Sequence, residues 1–401
     1  MEDDTERTKL EHNIWKAYIQ SIITNAAFFV PVIVLFWQEN GLDFTRIMVL
    51  QTLYSIVVVL LEVPTGYFAD IFSRRAALTV ASSFLAAGML IYAAGNNFFE
   101  FLIAETVWAI GVSLISGCDA ALLYDTLAGL DRKTEYKKII GQAMFYGYIS
   151  TAVASIAGGI IGHYSFRWTF IIMIPFLVLL IPVSLSIKEP KRERAAQEKA
   201  HFTKMLNITA NVFKQNTRLK WLIIYSAIIL GFNQTALWLY QPYMKLSGLD
   251  VYYFGIVFAS FQGIAALSSK YAHKIERRLG EKNSILLLAV LVAGSLLLMA
   301  NFIFLFSFLF VFLQQFVRGF GRVVVSDYVN KETSSDIRAT VLSVNNLGAR
   351  AVYAIAIPFI GYAADKYSIT AALNLSGILA LIFGAAILAV MRKAEAARAA
   401  E

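Results

Sequence analysis

The chain has 401 residues, of which 58% are hydrophobic and 15% are charged. A soluble domain carries about 25% charged residues, so this composition indicates a protein embedded in a lipid bilayer. The single cysteine, Cys118, excludes a disulfide framework and a cysteine-built zinc site, and the four histidines form no metal-ligand pattern. The net charge of +8 does not indicate a nucleic-acid partner, because the basic residues lie between apolar segments, where membrane topology explains them.

A membrane-spanning helix needs about 20 mainly apolar residues, and counting such runs predicts twelve spans. They lie at approximately 14–37, 46–69, 76–95, 99–123, 139–162, 168–187, 219–240, 251–272, 283–302, 304–327, 339–362 and 369–391. Most linkers are short, so we expect neighbouring helices to be antiparallel. The exception is a charged central stretch. The sequence therefore predicts an N-terminal six-helix bundle over 1–187, a cytoplasmic linker over 188–218, and a C-terminal bundle with a short cytoplasmic tail over 219–401.

The placement of lysine and arginine predicts the orientation of the chain. With the N-terminus in the cytoplasm, the cytoplasmic loops receive most of the basic residues, and the outer loops hold only Arg46, Arg167, Lys245 and Lys366. Short loops are where this asymmetry is a reliable guide. The polar N-terminus is not followed by a small-residue cleavage site, so we expect no cleaved signal peptide. We expect a multi-pass protein of the cell membrane with both termini in the cytoplasm.

The two halves of the chain look like a duplication. The tripeptide Gly41-Leu42-Asp43 precedes the second predicted helix, and Gly248-Leu249-Asp250 precedes the eighth, 207 residues further on. The same offset places Ser73-Arg74-Arg75 against Gly280-Glu281-Lys282. Six helices repeated as six are typical of secondary transporters, whose substrate site lies near the bilayer midplane at the repeat interface.

The loop between the second and third predicted helices contains Gly66, Asp70, Arg74 and Arg75. These residues match the pattern G-x-L-x-D-[RK]-x-G-[RK]-[RK], and the loop thereby resembles a motif of the major facilitator superfamily. Three positions depart from it, namely Phe68, Ile71 and Ser73. The resemblance covers essentially the whole chain. It implies an all-α integral membrane protein with 12 transmembrane helices in two pseudo-symmetric six-helix bundles.

The resemblance also implies that this loop is a gate. Asp70 would face the N-terminus of the eleventh helix, where exposed backbone N–H groups favour an anion. A loop arginine would pair with Asp125 at the inner end of the fourth helix. Together these contacts would hold the cytoplasmic side closed in the outward-facing state. The alternative is an ordinary basic loop that sets the topology and nothing else.

Three carboxylates in the predicted spans are candidates for proton coupling, namely Glu62, Glu105 and Asp119. An ionisable side chain near the bilayer centre costs about 2.5–3.5 kcal/mol on insertion scales, so each one needs an explanation. Glu62 lies about 12 Å deeper than Asp70 along a helix. It also precedes Pro64, which frees a backbone carbonyl. The alternative for each is a structural carboxylate paired with a neighbouring helix.

Polar residues in other predicted spans are candidates to line a substrate cavity. They are Asn25, Asn233, Gln234, Gln314, Arg318, Asn346 and Arg350. Gln314 and Arg318 are four residues apart, as are Asn346 and Arg350, so each pair lies on one helix face. For Asn25, Asn233 and Gln234 the alternative is hydrogen bonding between helices, worth under about 1–2 kcal/mol for each bond. For Arg318 and Arg350 the alternative is pairing with the acids of the fourth helix.

The sequence contains no G-x-x-x-x-G-K-[ST] motif for ATP. We therefore expect energy to come from a proton or ion gradient, or from the gradient of the substrate itself, with no cofactor. An enzyme is not expected, because no nucleophile, base and orienting group recur at a plausible spacing. We expect a transporter that works as a monomer on a small molecule by alternating access.

The first hypothesis for the cargo is export of amphiphilic or drug-like compounds by a proton-coupled antiporter. A proton symporter or uniporter for an anionic metabolite is the second, favoured if Arg318 and Arg350 face the cavity. A lipid-translocating or sensor protein is the third. The run Ala154 to Gly159 lacks the proline of the motif that family antiporters often carry in the fifth helix. The direction of transport therefore stays open, and the glycines favour close helix packing.

Overall fold

The computed structural model describes residues 2–71, 73–116, 118–190, 216–333 and 337–400. Side chains are described throughout these ranges except at 2–5, 62–64, 66–71, 339–340 and 394–400. The regular structure in these ranges is helical.

Fifteen α-helices follow one another along the described chain. In the first half they are α1 (Glu2–Asn25), α2 (Ile33–Glu39), α3 (Phe44–Ile71), α4 (Arg74–Ala94), α5 (Phe98–Ile115), α6 (Cys118–Gly129), α7 (Tyr136–Tyr164), α8 (Phe166–Ile171) and α9 (Met173–Leu185). In the second half they are α10 (Thr217–Thr235), α11 (Tyr240–Leu246), α12 (Phe254–Asn301), α13 (Val311–Lys331), α14 (Arg338–Lys366) and α15 (Ile369–Ala400).

Ten helical stretches of the described residues are long and apolar enough to cross a membrane. The stretch Val251–Asn301 holds both the eighth and the ninth predicted spans. It is broken at Gly280, whose φ of 75° lies in the left-handed region that favours glycine. The predicted linker 188–218 lies mostly outside the described residues, so its boundaries stay a prediction.

The first predicted span, 14–37, is wrong as a continuous helix. Helix α1 ends at Asn25, and the chain turns until α2 begins at Ile33. Pro31 lies in this turn; a proline donates no backbone hydrogen bond and disfavours a helical conformation at the residue before it. The predicted span 99–123 is interrupted as well, because α5 ends at Ile115 and α6 begins at Cys118. Asp119 therefore lies in the first turn of a new helix.

The repeated tripeptide forms the same turn in both halves of the chain. Gly41 and Gly248 adopt φ of 80° and 83°. Leu42 N–H donates to Trp37 O at 3.0 Å, and Leu249 N–H donates to Met244 O at 3.1 Å. A bond to a carbonyl five residues earlier, next to a left-handed glycine, is the Schellman ending of a helix. The predicted duplication thus extends to the hydrogen bonds of this turn.

The chain divides into two compact units. One comprises Met1–Leu42, Leu53–Ala196 and Asp250–Ala259; the other comprises Asp43–Thr52, Gln197–Leu249 and Ser260–Glu401. Each unit thus includes ten residues that come from the opposite half of the sequence. In the second unit, the Asp365 carboxylate holds such a segment by accepting from Phe44 N–H at 2.9 Å and Thr45 N–H at 2.7 Å.

Glycines allow the closest helix contacts in both units. A Cβ added at Gly158 of α7 would overlap the carbonyl oxygen of Phe28, and one added at Gly319 of α13 would overlap that of Ala265. The glycine-rich run of the fifth predicted helix therefore packs tightly, as its composition predicts.

Candidate functional site

The loop that opens α4 holds an ion pair within the first unit. Ser73 caps α4 by accepting from Ala76 N–H at 2.9 Å. The Arg74 guanidinium pairs with the Asp125 carboxylate, the partner that the family resemblance implies. The two side chains are only 14% and 24% exposed. Arg75 is exposed, and the side chain of Asp70 lies outside the described residues, so the gating role of the motif stays a prediction.

A second carboxylate, Glu189, binds the same loop and was missed from the sequence. Its two oxygens accept from the backbone N–H groups of Arg74 at 3.1 Å and Arg75 at 2.9 Å. These N–H groups open α4, where a helix has no internal acceptors for them and where a negative charge is favoured. Glu189 follows α9 in a charged stretch, and no local pattern distinguishes it there from its neighbours.

Glu105 is buried between two helices of the first unit and is held by a tyrosine. Tyr92 of α4 donates its hydroxyl to Glu105 Oε1 at 2.6 Å. The rings of Phe101 and Phe170 stack on Tyr92 at centroid distances of 5.7 and 5.1 Å. This arrangement favours the structural alternative for Glu105. The side chain of Glu62 lies outside the described residues, and its coupling role stays a prediction.

A cavity of about 90 Å³ lies among α1, α5, α6 and α7 of the first unit. It is lined by Ala17, Gln20, Ser21, Thr24, Asn25, Ile115, Asp119, Leu123, Ile140, Ala143 and Met144. It brings together two residues that the sequence assigned to different roles, Asn25 to a substrate cavity and Asp119 to proton coupling. Gln20 and Ser21 were missed. The sequence signal for both is their spacing on α1. Gln20 is four residues before Thr24, and Ser21 is four residues before Asn25, so each pair lies on one face of the helix.

Two hydroxyl groups and one amide N–H group in the wall of this cavity donate hydrogen bonds to backbone carbonyls. Ser21 donates to Ala143 O at 2.7 Å, and Thr24 donates to Gln20 O at 2.7 Å. Asn25 Nδ2 donates to Ser21 O at 2.8 Å. Asp119 accepts from Ala120 N–H at 2.7 Å through Oδ1 only. The hydroxyl, amide and carboxylate oxygens of these four side chains are thus left as acceptors.

Gln20 is the exception among the cavity residues. Its side chain is 5% exposed, and its Nε2 has no hydrogen-bond partner among the described residues. A buried donor without a partner costs about 1–3 kcal/mol. The cavity therefore presents several acceptors and one buried amide group, that of Gln20, whose donors are unused.

Two predicted cavity residues of the second unit bind each other instead. Asn233 Nδ2 donates to Gln314 O at 2.9 Å and also to Gln314 Oε1. Gln314 Nε2 donates to Ser295 Oγ at 2.6 Å and to Val292 O at 3.1 Å. Both side chains are buried. These bonds join α10, α12 and α13 and favour the alternative of hydrogen bonding between helices.

The remaining predicted residues of the second unit are not gathered in one place by the contacts of the structure. Arg318 of α13 donates to Gln262 of α12. Gln234 and Asn346 are exposed. Arg350 of α14 is half-buried and makes no hydrogen bond or ion pair within the part of the chain that the structure describes.

The family of the protein follows from comparison with known proteins. A family model of the Major Facilitator Superfamily matches residues 18–351, which is well over half of the chain. This chain belongs to the Major Facilitator Superfamily. The predicted all-α fold, with 12 transmembrane helices in two pseudo-symmetric bundles, is therefore confirmed.

Relatives of this superfamily member are known in sequence and in structure. It is 24% identical to the uncharacterized MFS-type transporter YxaM of Bacillus subtilis (strain 168) over 332 residues, which cover 79% of this chain and 80% of the relative. It is similar to the nucleoside transporter NupG, with a TM-score of 0.78, 15% identity and coverage of 97% of this chain and 99% of that one. A bacterial homolog of the human lysosomal transporter Spinster has a TM-score of 0.72 at 13% identity and 97% coverage of both chains.

These similarities define the class of the protein. As a member of the superfamily, it is a multi-pass membrane transporter of a small molecule and not an enzyme. At 13–15% identity, the likeness to the solved structures shows the fold alone.

Proposed function

We propose that this transporter is a secondary active exporter that moves small amphiphilic or drug-like compounds in exchange for protons, by alternating access. The observation that carries the proposal is the cavity of the first unit. There a carboxylate, Asp119, lies beside amide and hydroxyl groups and beside apolar side chains such as Ile115 and Met144. A wall of mixed character suits a molecule with both polar and apolar parts.

A single carboxylate in such a cavity is a simple device for exchange. The carboxylate of Asp119 holds a proton or pairs with a cationic group, but not both at once, because protonation removes its charge. Entry of a proton would therefore release a cationic cargo, and binding of the cargo would expel the proton.

The proposal also includes the energy source, the cellular location and the oligomeric state of the protein. The exporter uses a proton gradient and no cofactor, and works as a monomer in the cell membrane. Both termini lie in the cytoplasm, since the predicted cytoplasmic loops hold most of the basic residues.

A second function, proton symport or uniport of an anionic metabolite, is favoured by Arg350. An arginine within a membrane helix is costly unless it is paired or solvated, and this one makes no ion pair with the described residues. A carboxylate or phosphate on the cargo would be a suitable partner, because guanidinium binds both in bidentate fashion.

Proton movement in proteoliposomes tests the first function. Vesicles containing the purified protein and a pH-sensitive dye are given ethidium, a cationic aromatic probe. We expect ethidium-dependent proton movement that is lost in Asp119→Asn and kept in Glu105→Gln, because Tyr92 still has an oxygen to bond at position 105. Asp327→Asn alters an exposed ion pair with Lys331 on α13. It is the control for general effects of a substitution on purification and reconstitution.

The outcome separates the alternatives. Full coupling in Asp119→Asn, together with loss in Glu62→Gln or Glu105→Gln, would move the coupling role to that other carboxylate. Proton-independent uptake of an anionic probe that disappears in Arg350→Ala would replace the first function by the second.

A further inference from the structure

We propose that the cavity of the first unit binds the protonated primary amine of a transported compound, and that this compound has a hydroxyl or carbonyl oxygen close to the amine. The proposal rests on the proposed function for the statement that the compound is transported. Binding of the amine group itself is independent of the direction of transport and of proton coupling.

The acceptors of the cavity select a cation that carries N–H groups. The hydroxyl protons of Ser21 and Thr24 are donated to backbone carbonyls, so these oxygens offer lone pairs. Asn25 uses its Nδ2 on Ser21 O, which leaves its Oδ1 as an acceptor. Asp119 adds a negative charge, and its Oδ2 makes no hydrogen bond to a described residue. A primary ammonium group has three N–H donors and one positive charge, which matches this set.

The unused donor of Gln20 adds a second requirement. Gln20 lines the cavity, and only 5% of its surface is exposed. Its Nε2 has no hydrogen-bond partner among the described residues. A bare ammonium or alkali ion offers no acceptor to this group. An oxygen two or three bonds away from the amine would satisfy it, and a site built to bond such a group discriminates strongly against analogues that lack it.

The size of the cavity limits what can enter it. Its volume is about 90 Å³. Drug-sized ligands occupy pockets of about 300–1,000 Å³. The cavity thus holds only the head of an amphiphilic molecule. Its rim includes exposed side chains, Asn25, Asp119 and Met144, so the rest of the molecule can extend outward.

Thermal unfolding of the purified full-length protein tests the proposal with ethanolamine, which has four non-hydrogen atoms and carries both groups. A ligand that binds only the folded state raises the unfolding temperature in a saturable way. We expect the half-saturating concentration to rise at least about tenfold in Asp119→Asn, which loses the charged partner, and about three- to tenfold in Gln20→Leu. Gln315→Leu is the matched control, since it removes a buried glutamine with an unpaired oxygen from the second unit; it should leave the half-saturating concentration unchanged.

Three further probes at equal ionic strength identify the chemistry that is bound. Propylamine keeps the amine and lacks the oxygen; it should bind more weakly than ethanolamine and be insensitive to Gln20→Leu. Ethylene glycol lacks the charge and should give no shift. Sodium chloride that competes with ethanolamine at similar concentrations would overturn the proposal in favour of an alkali-ion site.

Two other results would also overturn it. These are the absence of any saturable shift with ethanolamine, and equal half-saturation in folded Asp119→Asn and in the unmodified protein. The experiments distinguish a failure of the amine-binding proposal from a failure of the proposed function. A protein that binds ethanolamine through Asp119 and moves no protons with ethidium retains this site and loses the exchange mechanism.

Discussion

Two buried glutamines in opposite halves of the chain show how differently the two units use polar groups. Gln314 is fully buried in the second unit, and its amide bonds Asn233, Ser295 and the backbone of Val292. Gln20 is 5% exposed in the first unit, and its Nε2 has no partner among the described residues. Gln20 also lines a cavity. One amide joins helices, while the other faces space that a ligand can fill.

The difference has a physical meaning because buried polar groups are rarely left unsatisfied. A few such groups remain in most proteins, and each one needs an explanation. Beside a cavity whose other polar groups offer mainly acceptors, a buried unused donor is best explained by a ligand that binds reversibly. The second unit shows what the same side chain does when its role is structural.

The largest predicted effect tests whether the two units are packed equally well. Gly158→Ala and Gly319→Ala should each lower the free energy of unfolding by about 3 kcal/mol, near the upper end of the usual cost of overpacking. The added Cβ would overlap a backbone carbonyl oxygen in both cases, and backbone cannot rotate away. Unfolding of the purified variants, followed by tryptophan fluorescence, measures the loss.

Glycines on α7 and on α12, the helix against which Gly319 packs, provide the control. A Cβ at Gly141 of α7 or Gly263 of α12 meets nothing within 4 Å. Alanine there should be neutral or stabilise by up to about 1 kcal/mol, the gain in helix propensity. A small loss at Gly158 with a large one at Gly319 would mean that the first unit is loosely packed. The unpaired amide of Gln20 would then need no ligand to explain it.

The next effect in size concerns the network of the second unit. Gln314→Leu should cost about 2–3 kcal/mol, because it removes three buried hydrogen bonds, to Asn233, Ser295 and the backbone of Val292, each worth about 1 kcal/mol. Gln315→Leu is the same change at the next residue, where Oε1 has no partner among the described residues. It should be neutral or slightly stabilising. Equal costs at the two positions would show that the network does not hold the helices.

The sequence predicts the helices and the repeat well, for reasons that lie within single segments. Apolar length identifies the spans, and Gly41 and Gly248 form one and the same turn. The break before α2 has a local cause in Pro31, which disfavours a helical conformation at the residue before it. Each of these features depends on residues that are neighbours along the chain.

The sequence cannot predict which polar groups meet, because that depends on helix rotation and on contacts between distant segments. Nothing local distinguishes Gln20 from Gln314, since each directly follows an apolar residue, Ile19 in one case and Leu313 in the other. Asn233 and Gln314 are 81 residues apart in the sequence. Glu189 reaches the N–H of Arg74 across 115 residues. Pairing of Arg74 with Asp125 could be anticipated only from the family resemblance.

A smaller effect is expected from the ion pairs of the two related loops. Arg74 and Asp125 are 14% and 24% exposed, whereas Arg218 and Glu281 of the second unit are 33% and 31% exposed. Arg218 is also 3.3 Å from Glu332, which can compensate for loss of Glu281. Double-mutant cycles on the free energy of unfolding should give a coupling of about 1–2 kcal/mol for the first pair, as for a partly buried charged hydrogen bond. The second should give less than about 1 kcal/mol.

The charge arrangement of these loops gives a further check on the same cycles. The loop residue is basic in the first unit and acidic in the second; Arg74 pairs with Asp125, and Glu281 pairs with Arg218. Reversing both charges, as in Arg74→Asp with Asp125→Arg, should recover part of the coupling. If the coupling free energy of the first pair is no larger than that of the second, the difference in burial does not determine the strength of these ion pairs.

The smallest predicted effect is the most decisive for the comparison of the two glutamines. Gln20→Leu should leave the free energy of unfolding without ligand unchanged or raise it by up to about 1 kcal/mol, because it removes a buried donor that has no partner among the described residues and adds apolar surface of similar size. The same substitution at Gln314 is expected to lower it by about 2–3 kcal/mol. Chemical unfolding of both variants in one detergent measures the two values side by side. If Gln20→Leu is as costly as Gln314→Leu, Gln20 is a structural residue, and the contrast between the two units disappears.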